Sequence, residues 1–157
     1  MSSELTDFES PYVLAVDIGS SSVKAGLFDA LARSVAGIEA TIPHTQTVAS
    51  DGTSEEDADQ IRIATEQAID SVLEKAGTLT GEIAGVGFDC MSSTVLGVDS
   101  NGNAITPVYT YADTRSGADV DRLKDELNVP VIYDRTGVMQ HPSYLPGRIR
   151  ELRRTQP

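Results

Sequence analysis

Eight consecutive residues, Asp17-Ile18-Gly19-Ser20-Ser21-Ser22-Val23-Lys24, hold the parts that phosphate chemistry needs. A carboxylate at the end of an apolar run is costly unless a cation or hydrogen-bond donors meet it. Gly19 lets the chain turn tightly and lets backbone approach a ligand. Ser20 and Ser21 supply hydroxyl and N–H donors for phosphate oxygens, and Lys24 supplies positive charge. Asp17 is the candidate metal ligand, holding Mg²⁺ through water because that ion keeps much of its hydration shell. A cradle, a metal and charge neutralisation are what phosphoryl transfer requires. The segment is not a P-loop, since no Gly-Lys-Ser/Thr pattern opens a helix here. The same residues also fit an ordinary hairpin whose turn is capped by Asp17 and the serines.

Two further segments carry polar residues next to apolar runs: Gly87-Phe88-Asp89-Cys90-Met91-Ser92-Ser93-Thr94 and Tyr111-Ala112-Asp113-Thr114-Arg115. Asp89 closes its run as Asp17 does. Asp113 fits an N-cap for a following helix, with Arg115 pairing a helix acid. Cys90 reads as a small packed residue. His141, before Pro142, and His44, in a polar loop, read as loop residues. Arg148, Arg150, Arg153 and Arg154 form a basic patch of the kind that suits a helix C-terminus.

The elements that must position these residues follow from periodicity. Residues 1–11 are polar and acidic and read as a disordered lead-in. Tyr12 to Val16 is a nearly continuous apolar run, as in a strand buried on both faces. Val23, Ala25 and Leu27 alternate with Lys24, Gly26 and Phe28, as a second strand does, and a third covers Ser34 to Ile42. Ser54 is the expected N-cap of a helix with Glu55, Glu56, Asp57 and Asp59 near its positive end. Ile61, Ala64, Ala68, Ile69, Val72, Leu73 and Ala76 form its apolar face, and Gly77 stops it. Ile83 to Phe88 is another buried strand. Residues 94–98 and 104–111 flank Asp99-Ser100-Asn101-Gly102-Asn103 and read as a hairpin. Helices are expected over 116–127, 131–135 and 144–154. The fold class is therefore α/β, with a mixed sheet in one domain.

Taken in order, the three polar segments resemble the FGGY family of carbohydrate kinases, most of all its gluconokinase and xylulokinase branch. The first resembles that family's first phosphate motif, Asp-x-Gly-(Ser/Thr)-(Ser/Thr)-Ser-x-Lys. The third is similar to its Trp-x-Asp-x-Arg element, with Tyr111 in place of tryptophan. Arg135-Thr136-Gly137 with His141-Pro142 resembles its Thr-Gly-x-x-x-x-Pro stretch. The resemblance runs from Tyr12 to Pro157 and implies the N-terminal part of the first domain, incomplete, of a ribonuclease H-like, actin-like ATPase architecture. It implies transfer of the γ-phosphoryl group of ATP to a sugar, sugar acid or polyol hydroxyl. Carried over by position, Asp17 holds Mg²⁺, and Gly19, Ser20, Ser21 and Lys24 lie near the phosphates. Met91 and Ser92 fall where many relatives carry Met-His beside the sugar. Asp113 and Arg115 sit at or behind the sugar pocket. The family's general base, second phosphate motif and adenosine pocket fall past residue 157, so the chain alone is expected to be inactive.

Composition narrows the partners. The 157 residues carry 24 acids against 12 bases, a net charge of −12. Such a surface repels nucleic-acid backbones and anionic lipid. It admits a nucleotide, because backbone N–H groups and Mg²⁺ hold phosphates within an acidic protein. A single cysteine, no signal-peptide pattern and no membrane-length apolar run point to a soluble cytoplasmic protein. Two rival readings remain. One is a ribonuclease H-like nuclease with Asp17 and Asp89 binding metal, against which the acidic charge weighs. The other is a kinase-derived module without catalysis that binds sugar weakly or pairs with another chain.

Overall fold

The computed structural model describes residues 8–156, and the chain divides into two compact units. The first comprises residues 8–45 and 59–91. Its strands are β1 (Tyr12–Ile18), β2 (Ser22–Phe28), β3 (Ser34–Pro43) and, after β4 and β5 of the other unit, β6 (Ile83–Cys90). They form one mixed sheet in the order β3-β2-β1-β6, with β1–β2 and β2–β3 antiparallel and β1–β6 parallel.

The alternation along the strands decides which face is covered. Tyr12, Leu14, Val16, Val23, Ala25 and Leu27 are buried together with Ala64, Ala68, Val72 and Ala76 of helix α1 (Ala58–Ala76). Three alanines at i, i+4 spacing let α1 lie close to the sheet, and Val72 fills the space between. The strand over Tyr12 to Val16 is thus buried on one face only, not on both. The opposite face, with Ala15, Asp17, Lys24, Gly26 and Gly87, borders an open groove of about 580 Å³.

Several expectations shift here. Residues 1–7 of the expected lead-in lie outside the described residues. Phe8 packs against the core and the Glu9 carbonyl accepts from Ala30 N–H. Asp29, buried at the β2–β3 turn, accepts from the N–H groups of Leu31 and Arg33 and from the Arg33 guanidinium. Helix α1 does end at Ala76, with Gly77 in the left-handed region (φ +53°) as the expected stop, but a 3₁₀ turn over Gly77–Glu82 follows at once. Cys90 is exposed at the end of β6 rather than packed.

The second unit comprises residues 46–58 and 92–156. It holds β4 (Gln46–Val48), β5 (Ser54–Glu56) and β7 (Val108–Tyr109), a small sheet in the order β4-β5-β7. Its helices are α2 (Gly117–Glu126), α3 (Val129–Thr136) and α4 (Leu145–Thr155). Ser54 is therefore a strand residue and not the N-cap of α1. Its N–H goes to the Asp113 carboxylate at 3.0 Å and its neighbours pair with two strands. Long-range pairing overrides the local capping preference. The expected 94–111 hairpin keeps its turn, with Asp99 accepting from the N–H groups of Asn101 and Asn103. Its arms pair at Val95–Tyr109 and Val98–Ala104 and are tied between them by Ile105 N–H to the Gly97 carbonyl, and Tyr109 takes β5 as a partner as well. Helix α4 packs on α2 at Gly147, where a Cβ would collide with the Val120 side chain.

Candidate functional site

Each unit carries its own set of the residues singled out in the sequence. In the first unit, β1 and β2 run in register such that Asp17 stands opposite Lys24. On its other side β1 places Asp17 opposite Asp89 of β6. Residues opposite each other on neighbouring strands project to the same face, and all three line the open groove. All three are exposed. A lysine therefore flanks one edge of Asp17 and a second carboxylate the other.

The turn from β1 to β2 is braced from three directions. Gly19 N–H donates to the Ser22 carbonyl at 3.1 Å. A Cβ at Gly19 would sit 3.2 Å from that oxygen, so the closeness of the turn selects glycine. His44 N–H donates to the Ser21 carbonyl, and His44 Nε2 lies 2.9 Å from the Gly19 carbonyl, which can only accept. Met91 N–H donates to the Ile18 carbonyl at 3.2 Å. Ser20 and Ser21 are exposed at the tip. His44, read from sequence as a plain loop residue, is thus a brace of the turn. Only its contact across 25 positions reveals it.

The fit of a cation rests on the donor set. Among the described residues no group of three or more His, Cys, Asp or Glu side chains is arranged to hold a metal. Asp17 and Asp89 nonetheless stand side by side. One Asp89 oxygen accepts from Cys90 N–H at 2.9 Å, which leaves the other Asp89 oxygen and Asp17 for a ligand. Two carboxylates and open solvent suit Mg²⁺, which retains several waters, and do not suit a metal that needs a closed protein cage.

In the second unit, Asp113 and Arg115 form a dense network. Asp113 is fully buried. Its Oδ2 accepts from Arg115 Nε at 2.9 Å and Nη2 at 2.6 Å, and its Oδ1 from Arg148 Nη2 at 2.6 Å. Burial pushes the carboxyl up, but the bonds from Arg115, Ser54 N–H and Arg148 outweigh it and hold the group at about 2. Asp113 therefore does not cap α2, whose N-cap Ser116 makes no side-chain capping bond. Arg115 pairs not with a helix acid but with Glu55 of β5, at 2.7 Å. The hydrogen bond to Asp113 raises the Arg115 guanidinium above its usual range.

Arg148 belongs to this cluster and not to a solvated patch. It is buried, pairs with Glu151 at 2.9 Å and lies over the Tyr109 ring at 4.9 Å. Arg115 lies over the same ring at 5.4 Å. Arg150 and Arg154 pair with Glu126 and Asp119. Ser92 is exposed. The i, i+3 spacing of Arg148 and Glu151 was the available sign of an internal pair. Glu55 gave none, because its partner is 60 positions away.

Comparison with known proteins gives these arrangements a family. A family model described as "FGGY family of carbohydrate kinases, N-terminal domain" matches residues 12–157. A gluconokinase of Bacillus subtilis is 29% identical over 140 residues, covering 83% of this chain and 25% of that protein. A glycerol kinase of Brucella ovis is 29% identical over 136 residues, covering 86% of this chain and 27% of its own. The crystal structure of a xylulose kinase from Rhodospirillum rubrum aligns with a TM-score of 0.86 at 25% identity, over 93% of this chain and 30% of that one. The chain thus spans about a quarter of the length of the curated relatives it matches. Its α/β fold is the ribonuclease H-like, actin-like ATPase fold in partial form.

Proposed function

The chain belongs to the FGGY family of carbohydrate kinases, and from that premise we propose that it supplies the phosphate-facing turn and part of the sugar-facing wall of an ATP-dependent kinase. The acceptor is a hydroxyl of a sugar, sugar acid or polyol, and the setting is cytoplasmic. The observation that carries this reading is the register that sets Asp17 between Lys24 and Asp89 at the rim of a braced Gly19–Ser21 turn.

Each residue has a role in that reading. Asp17, with Asp89 beside it, holds the hydrated Mg²⁺ that accompanies ATP. The bound ion neutralises phosphate charge. Gly19 keeps the backbone low enough for phosphate oxygens to meet the N–H and hydroxyl groups of Ser20 and Ser21. Lys24, on the strand that leaves the turn, adds a compact positive charge. Met91 and Ser92 contact the sugar, and Arg115 faces it while Asp113 holds Arg115 in place from beneath. Asp113 cannot serve as general base, since both its oxygens are taken. In this reading the chain by itself binds without turnover, with Asp17 and Asp89 committed to the cation.

Calorimetric titration with ATP tests this. Binding is expected to require Mg²⁺. Lys24→Ala should weaken it about tenfold, the scale of one charge-assisted contact, and Asp17→Asn should abolish the Mg²⁺-dependent binding. Equal affinity with and without Mg²⁺, untouched by either substitution, contradicts the reading. A second reading, a chain-pairing module without catalysis, is favoured by one observation: β6 ends its sheet and no described strand covers its outer edge.

A further inference from the structure

Glu55 and Arg115 are each about a quarter exposed, and their pairing leaves one atom of each uncommitted. Arg115 spends Nε and Nη2 on Asp113 and Glu55, and among the described residues its Nη1 donates to nothing. Glu55 accepts through Oε2, and its Oε1 accepts from nothing among the described residues. The guanidinium is planar and is fixed at two of its nitrogens, so the direction of Nη1 is set by the protein. The Tyr109 ring beneath and the Asp113–Arg148 bond behind hold that plane in place. A donor with two N–H groups and a carboxylate acceptor thus stand side by side at the edge of the second unit.

The local charge chooses the ligand. Two guanidiniums, Arg115 and Arg148, are set against the carboxylates of Glu55, Asp113 and Glu151. Asp51, whose carboxyl is held below its ordinary range chiefly by Thr53 and in smaller part by the charge of Arg115, makes a fourth acid. A second anion brought to this cluster meets net repulsion, whereas a hydroxyl both accepts from Nη1 and donates to Oε1. We propose that Glu55 and Arg115 together recognise neighbouring hydroxyls of an uncharged polyol or sugar, in preference to a sugar acid's carboxylate. This rests on the sugar-side reading of Arg115 given above and adds Glu55 as a specificity-determining residue.

The test uses D-sorbitol and D-gluconate, which share a six-carbon polyol chain and differ in a terminal hydroxymethyl against a carboxylate. Each is titrated into the 157-residue chain while the arginine side-chain N–H resonances are followed by NMR. Sorbitol is expected to shift Arg115, with gluconate at least tenfold weaker at that resonance. Glu55→Ala should weaken sorbitol at least tenfold, and Glu55→Gln should narrow the gap between the ligands by removing the charge. The buried Arg148 resonance reports whether each variant keeps its fold. A variant that loses that signal is set aside for the other. Gluconate binding as tightly as sorbitol, or sorbitol indifferent to Glu55, overturns the proposal. If sorbitol shifts other resonances but not Arg115, the proposal falls while sugar binding stands. If neither ligand shifts any resonance, the sugar-side reading falls with it.

Discussion

Asp113 shows how much a single buried carboxylate can organise. It joins the end of β5, the loop before α2 and the side of α4 through Ser54 N–H, Arg115 and Arg148. Its proton affinity is lowered to about 2 on folding, so its stabilising contribution is complete above the ordinary value of 3.8 and is lost as pH falls toward 2. Asp29, held at about 2 chiefly by Arg33, acts in the same window. Thermal stability should therefore fall as pH is lowered from about 4 to about 2. Asp113→Asn should cost about 3 kcal/mol or more at neutral pH, because Arg115 loses its doubly bonded carboxylate and the buried Arg148 is left with the Glu151 carboxylate alone. It should also flatten the acid limb of the Tm profile, and an unchanged limb would place the titrating group elsewhere. The types and order of Asp17, Gly19, Ser20, Ser21 and Lys24 were legible as a turn with phosphate chemistry. The partners of Asp113, Arg115 and Arg148 were not, because ion pairs across 35 and 60 positions leave no local pattern.

At the scale of elements, hydrophobic period did best where one face is buried against one neighbour. The buried stripe of α1, at 64, 68, 72 and 76, lies within the face read from spacing. The strand β2 followed its alternation in the same way, whereas the apolar run of β1, read as buried on both faces, is buried on one. Reading failed where pairing is short and long-range: β4 and β5 have three residues each and no apolar alternation. There the acids after Ser54 looked like the start of a helix. Gly147 offers an element-scale test of the α2–α4 contact. Gly147→Val drives a side chain into Val120 and should destabilise the chain by about 1–3 kcal/mol, as overpacking does. Urea denaturation measures it, and a stability equal to wild type would show that the two helices separate freely.

On the scale of the whole molecule, the α/β class and mixed sheet were legible from the run of strands around one long amphipathic helix, whereas the division into two units was not. That division depends on residues 46–58 joining a sheet with residues beyond 92, a pairing that sequence spacing does not announce. The chain alone is expected to release no ADP in response to sugar, across neutral polyols, ketoses and sugar acids alike. Sugar-dependent ADP release that Asp17→Ala abolishes would show a complete active site and contradict the account. The central claim, that the turn after β1 receives the phosphates of a magnesium nucleotide, is tested most directly by backbone amide NMR during titration with Mg²⁺–ATP. The account predicts shifts concentrated at residues 18–24 and at Asp89, lost in Asp17→Asn while the rest of the spectrum is preserved. Shifts confined to other residues, or retained in full by Asp17→Asn, would contradict it.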